Sequence, residues 1–233
     1  MSTLSVPAIT SQFRNAERKQ ESLLAPLERK TLAWLAARMP SRIGPDHLTM
    51  LGLFALAMAG ASYAMAAWWP PAILFVNIWL AVNWFGDSLD GTLARYRQQQ
   101  RPRYGFYVDH IVDSFGALFV LSGLAWSGLM SERVAFALLI AFLLLSIDSY
   151  LAAYTRGKFN LSFWLFSPTE LRILLALGNV VVFWKPSIVF LGARQNFFDV
   201  GGGIGAICMV VVLLINVIRN TAGLYREERI KQA

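Results

Sequence analysis

From Leu48 to Trp69 the chain carries no charged residue, a stretch long enough to cross the roughly 30 Å hydrocarbon core of a bilayer as a helix. Five more apolar segments follow, each bounded by Pro, Gly or charge: about 71–95, 104–128, 132–155, 168–184 and 201–220. Inside hydrocarbon every backbone N–H and C=O must find a partner within its own segment, which only helices and closed barrels achieve. Runs of this length predict an all-α integral membrane protein with six transmembrane helices. The 56% hydrophobic and 15% charged composition excludes disorder. The single cysteine, Cys208, allows neither an intrachain disulfide nor a cysteine-based zinc site.

Residues 1–44 read as a cytoplasmic N-terminal segment, 45–220 as the six-helix transmembrane domain and 221–233 as a cytoplasmic tail. The first twenty residues have no apolar core ahead of a small-residue cleavage site, so no secretory signal is expected. Between Glu21 and Met39, Leu24, Leu27, Trp34 and Leu35 recur near helical spacing, with Glu28, Arg29, Lys30 and Arg38 elsewhere on the surface. That pattern predicts an amphipathic helix lying at the interface, ended by Pro40, Gly44 and Pro45.

With the N-terminus placed in the cytoplasm, all 21 basic residues except Arg133, Lys185 and Arg194 fall on the cytoplasmic side. The positive-inside rule therefore favours six spans with both ends cytoplasmic. The net charge of +7 is accounted for by topology and anionic lipid headgroups, and no nucleic-acid partner is expected.

Four carboxylates break this apolar pattern. They lie in Asp87-Ser88-Leu89-Asp90-Gly91-Thr92-Leu93-Ala94-Arg95 and in Gly105-Phe106-Tyr107-Val108-Asp109-His110-Ile111-Val112-Asp113. Asp87 and Asp90 share a helix face at i,i+3, as Asp109 and Asp113 do at i,i+4. The short connection from Arg95 to Gly105 predicts that the second and third spans are antiparallel neighbours, with all four acids at one depth. Each such acid costs roughly 2.5–3.5 kcal/mol to insert, and gathered acids repel one another. Arg95 and Arg97 cannot neutralise four charges; one or two divalent cations can. Oxygen-only ligation points to Mg²⁺ or Mn²⁺. Gly91, Ala94 and Gly105 keep the surface beside the acids free of bulk, which suits either helix packing or close approach of a phosphate-bearing ligand.

These residues resemble the signature of the CDP-alcohol phosphotransferase family, D-x2-D-G-x2-A-R, eight or nine residues, then G-x3-D-x3-D. Asp87, Asp90, Gly91, Ala94, Arg95, Gly105, Asp109 and Asp113 match every position with nine intervening residues. Pro45-Asp46-His47-Leu48-Thr49 is similar to the family's P-N-x-x-T element, with Asp46 replacing Asn. The resemblance implies attack of an acceptor hydroxyl on the β-phosphorus of a CDP-linked donor, with release of CMP. It implies Asp87, Asp90, Asp109 and Asp113 as ligands of Mg²⁺ or Mn²⁺, and Asp113 as general base. Thr49, Asp87, Gly91, Ala94, Arg95 and Gly105 would line the nucleotide site. It also implies membrane lipids as surroundings, a lipid or polar alcohol as acceptor, and a homodimer. The Asp109-His110-x-x-Asp113-Ser114 string looks most like choline/ethanolamine phosphotransferases, with a CDP-aminoalcohol donor and a diacylglycerol-like acceptor. The reverse arrangement pairs a CDP-diacylglycerol donor with a small polar alcohol.

Two further groups carry open readings. Asp148 either selects an acceptor headgroup or pairs with a neighbouring helix. Ser167-Pro168-Thr169-Glu170 reads as a capping box opening the fifth span, and Arg172, one turn inside, as structure or as a partner for an anionic part of donor or acceptor. Arg97, Arg101 and Arg103 read as topology determinants, with nucleotide steering as the lesser alternative. Two other classes compete: an aspartate-rich prenyltransferase, which leaves the second acidic motif unexplained, and a cation transporter using the acids as its pathway.

Overall fold

A computed structural model of the chain describes residues 25–156 and 168–228. The apolar segments form helices, as satisfaction of their backbone groups requires. Among the described residues these are α1 (Ala25–Arg38), α2 (Pro45–Met65), α3 (Ala72–Tyr96), α4 (Pro102–Trp126), α5 (Glu132–Arg156), α6 (Pro168–Trp184) and α7 (Phe197–Glu227). A hairpin, β1 (Ser187–Phe190) with β2 (Ala193–Asn196), joins the last two. Helices α2, α3, α4, α5 and α7 are long and apolar enough to cross a membrane. The 17 residues of α6 stand at the lower limit for a span. The fold is that of an all-α, multi-pass membrane protein, and a count of six spans depends on this shortest helix.

Local chemistry sets the ends. Pro45 opens α2 at a position where its missing N–H is harmless, and His47 Nδ1 accepts the Gly44 N–H at 3.1 Å. Pro186 stops α6, because the residue before a proline is driven out of the helical region. The hairpin has the register Ser187↔Asn196 to Phe190↔Ala193. Its two-residue turn places Leu191 and Gly192 at φ of 49° and 79°, the left-handed geometry such turns demand. Helix α7 starts before Gly201 and runs past Asn220, exceeding the range read from sequence at both ends. Gly202 lies inside it, where a Cβ would meet Val134, Leu138 and Met130 at 2.8–2.9 Å.

The packing corrects one expectation. Helices α3 and α4, though joined by a short loop, do not pack along each other; α2 packs along both. The cause is a set of glycines that lets backbones nearly touch. A Cβ on Gly86 of α3 would stand 2.5 Å from the Leu48 carbonyl oxygen of α2. One on Gly60 of α2 would stand 2.2 Å from the Phe119 oxygen of α4, and one on Gly123 of α4 2.1 Å from the Gly60 oxygen. Outside this trio, α6 packs on α3 and α5 on α4, with α7 against α5. The main core, around Ala59, Tyr63, Val76, Leu124 and Phe198, lies toward the hairpin end. Within it Tyr63 Oη donates to Asn179 Oδ1 at 2.6 Å, and Asn179 Nδ2 donates to Asn77 Oδ1 at 2.8 Å. These bonds join α2, α3 and α6 where lipid offers polar groups no alternative.

Helix α1 docks on α3. Leu27 and Trp34 are 66% and 54% exposed, whereas Leu32 and Ala36 are buried against Leu48, Leu89 and Leu93; Leu24 lies outside the described residues. The docked stripe contains Ala36, small enough for close approach. Leu27 and Trp34 remain outward, as suits an interfacial helix. Arg97 anchors the far end of this helix. Its Nη1 donates to the Ile43 carbonyl at 2.7 Å and its Nη2 to those of Pro40 and Met39 at 2.9 and 3.0 Å. Arg97→Ala is expected to cost about 1–3 kcal/mol in detergent unfolding. Nucleotide binding should be unchanged, contrary to a steering role.

Candidate active site

All of the predicted motif residues lie at the end of the bundle opposite the hairpin. This is where α2, α4 and α6 begin and α3 and α5 finish. Asp87 and Asp90 stand on the last turns of α3, and Asp109 and Asp113 on the first turns of α4. Between them comes the start of α2, where Thr49 Oγ1, one turn after Pro45, donates to Asp90 Oδ2 at 2.6 Å. The same carboxylate accepts the Gly91 N–H through its other oxygen. Asp90 is within electrostatic reach of Asp87 on its own helix and of Asp109 on α4.

Asp87 is paired with a cation from another helix. Arg172 of α6 donates through Nη2 to Asp87 Oδ2 and through Nε to Asn83 Oδ1, the latter at 2.7 Å. Both ionic side chains are largely enclosed, at 16% exposure for Arg172 and 25% for Asp87. Asn83, one turn before Asp87, also donates to the Gly52 carbonyl at 3.0 Å. Sequence reasoning passed over Asn83, although an amide four residues before Asp87 in an apolar helix was a usable signal.

On α4, Asp109 lies 3.9 Å from His110 Nδ1. His110 is buried, with its ring 4.7 Å from that of Tyr150 on α5. Tyr150 is near enough to Asp113 and Asp109 to feel their charge, and its hydroxyl lies beside Ser114 and Ser146. Its role was not read from the sequence; the pattern Ser146, Tyr150 at i,i+4 on α5 was the available clue.

The remaining predicted residues are more open. Gly91 and Ala94 are half-buried and Arg95 is exposed, with Arg95 Nη2 donating to Thr92 Oγ1 at 3.1 Å. A Cβ on Gly105 would meet nothing within 4 Å. Asp46, at the position of the family's Asn, is ion-paired with Arg101 of the α3–α4 loop, both about half exposed. That pair crosses an open cleft of about 440 Å³ lined by Gly44, Asp46, His47, Gln99, Gln100 and Arg101. Half-buried Asp148 pairs with no other helix among the described residues. Ser167, the expected cap of α6, lies outside the described residues.

Among the described residues no three Asp, Glu, His or Cys side chains stand close enough to hold an ion as they are placed. The four acids share one end of the bundle without being gathered into a ready site. Asp87 is turned toward Arg172 and Asp90 toward Thr49, while α2 separates the two acidic helices. The donor chemistry itself fits a hard divalent cation. It is all carboxylate, and two further acids lie within electrostatic reach of Asp90.

The family model for CDP-alcohol phosphatidyltransferases matches residues 42–218. Archaetidylinositol phosphate synthase of Pyrococcus horikoshii is 32% identical over 139 residues, covering 59% of this chain and 64% of its own length. Cholinephosphotransferase 1 of Gallus gallus is 24% identical over 236 residues, covering 93% of this chain and 68% of its own. The matched part thus spans just under two thirds of the archaeal relative.

Proposed function

Because the chain belongs to the CDP-alcohol phosphatidyltransferase family, we propose that it transfers a substituted phosphate from a CDP-linked alcohol to an acceptor hydroxyl, releasing CMP. The observation that carries this reading is Asp90, fixed by Thr49 of α2 at 2.6 Å and within electrostatic reach of both Asp87 and Asp109. Carboxylates of α3 and α4 would supply ligands to a phosphate-bridging cation once Asp87 and Asp90 turn from Arg172 and Thr49.

Asp87, Asp90 and Asp109 would hold Mg²⁺ or Mn²⁺, with Asp113 beside them. When bound, the ion would neutralise the donor's pyrophosphate and the departing CMP phosphate. Gly91, Ala94 and Gly105 leave room for the nucleotide, and Thr49 fixes the Asp90 carboxylate along its edge. Arg95, at the exposed margin, can offer its fork to a phosphate. Asp113 takes the proton from the incoming hydroxyl. Arg172 reaches Asp87 from α6, a side from which an acceptor can enter, and Asp148 of α5 is a second candidate for an acceptor contact. The site faces the cytoplasm in the orientation favoured by the basic residues.

The donor we favour is a CDP-aminoalcohol, with a diacylglycerol-like acceptor. Support comes from the Asp109-His110-x-x-Asp113-Ser114 string and from the avian cholinephosphotransferase, whose match covers 93% of this chain. The reverse pairing, a CDP-diacylglycerol-type donor with a small polar alcohol, is supported by Arg172, a cation suited to an anionic alcohol. CMP exchange against both kinds of CDP-alcohol, with product identification, separates them.

The chemistry itself is tested by thermal stabilisation in detergent. CMP should raise the melting temperature only with Mg²⁺ or Mn²⁺ present, and chelation should abolish the effect. Indifference to cytidine nucleotides would favour the cation transporter or the prenyltransferase.

A further inference from the structure

We infer that Glu28 of α1, outside every motif, is a positioning residue of the transfer site, fixing α6 against α3 beside Asp87. The inference rests on the reading of that site given above.

Three donors converge on one oxygen of this half-buried carboxylate. Trp84 Nε1 and Thr169 Oγ1 each donate to Glu28 Oε1 at 2.8 Å, and Ser88 Oγ reaches it at 3.4 Å. Trp84 and Ser88 stand on α3 at i,i+4, and Ser88 adjoins Asp87. Thr169 stands on α6 three residues before Arg172, hence on the same face. Glu28 therefore bridges α3 and α6 within one turn of the Asp87–Arg172 pair on both helices.

The bridge is held from outside the site. Leu32 and Ala36 bury α1 against α3, and Arg97 ties down the carbonyls after its last turn. Hydrogen bonds to a charged acceptor are roughly twice as strong as neutral ones, so Glu28 resists displacement of the first turn of α6. Without it, the Trp84 and Thr169 donors lose their partner and Arg172 loses a fixed approach to Asp87. A misplacement of 1 Å at such a site costs on the order of 10²-fold in rate. Glu28 touches neither substrate nor ion in this account; it acts through Thr169 and Arg172.

The experiment measures CMP affinity at saturating Mg²⁺ by thermal shift in the full-length protein, for Glu28→Ala, Glu28→Gln, Thr169→Val and Arg172→Gln. Glu28→Ala, which removes the whole bridge, and Thr169→Val, which removes its α6 arm, should each weaken CMP binding roughly tenfold. Glu28→Gln, whose amide oxygen still accepts, should recover most of the affinity. Combined with Arg172→Gln, either substitution should add little, since coupled residues are not additive. Full additivity with Arg172→Gln, or a lower melting temperature with unchanged CMP affinity, overturns the inference. If Glu28→Ala does not fold, Thr169→Val alone and with Arg172→Gln decides it by the same criteria. A wild-type protein that ignores CMP defeats the family chemistry instead, and the two failures are thereby distinct.

Discussion

Asp113→Asn is expected to slow transfer by roughly 10²–10⁴-fold, the usual contribution of a positioned general base, while CMP with Mg²⁺ still stabilises the protein. The side chain keeps its shape and loses its capacity to take a proton. Asp113 stands one turn beyond Asp109 on α4, and Tyr150 of α5 faces both. The substitution removes one negative charge from a group of four, so it relieves repulsion rather than adding to it. Stability should hold or rise slightly, and a loss of rate cannot then be ascribed to unfolding. The measurement is CMP release in single-turnover conditions beside the melting curve. Normal turnover would refute Asp113 as the base. Lost turnover together with lost CMP binding would assign it to the ligation of the nucleotide-bound ion instead.

Gly123→Ala should be among the most destabilising single-methyl additions this chain can suffer. The new Cβ would stand 2.1 Å from the Gly60 carbonyl oxygen and 2.8 Å from its Cα, both backbone atoms of a facing helix. Neither can rotate away, so α2 and α4 must part. Overpacking of a well-fitted core commonly costs about 1–3 kcal/mol, and occasionally more; contact with backbone rather than a side-chain tip places this case at about 3 kcal/mol or above. Because α2 carries Thr49 to Asp90, activity should fall with stability. Gly203→Ala provides the control, since a Cβ there meets nothing within 4 Å and Ala is the better helix former. Unfolding in detergent should separate the two by several degrees; equal melting temperatures would mean that α2 and α4 are not in backbone contact.

Much of this was legible in the residues. Uncharged runs and their Pro and Gly boundaries gave the helices, because length and hydrophobicity decide membrane spans almost alone. The signature acids were visible because a carboxylate in an apolar helix demands a reason. Neighbour relations were less accessible. A short loop between α3 and α4 suggested direct packing, but loop length constrains only the joined ends, and the glycines at 60, 86 and 123 could not be paired without coordinates. The docking of α1 on α3 through Leu32 and Ala36 was hidden for a related reason: periodicity shows an apolar face, not what covers it. Glu28 and Arg97 were read as surface charges because a single sequence shows a charge without its partner. Asp46 was flagged only as a departure from a motif, and its pairing with Arg101 joins the first turn of α2 to the α3–α4 loop.

The order of the helices in space, α6 on one flank of the α3–α2–α4 trio and α5 with α7 on the other, bears on how the chain is made. The trio that presents all four acids leaves the ribosome first, and the arginine that pairs with Asp87 follows only with α6. At synthesis rates of about 5–20 residues per second, Asp87 must wait several seconds in the translocon or the bilayer before Arg172 exists. Nascent chains stalled in that interval would carry an unpaired intramembrane charge, a natural point for quality control to sense incomplete assembly.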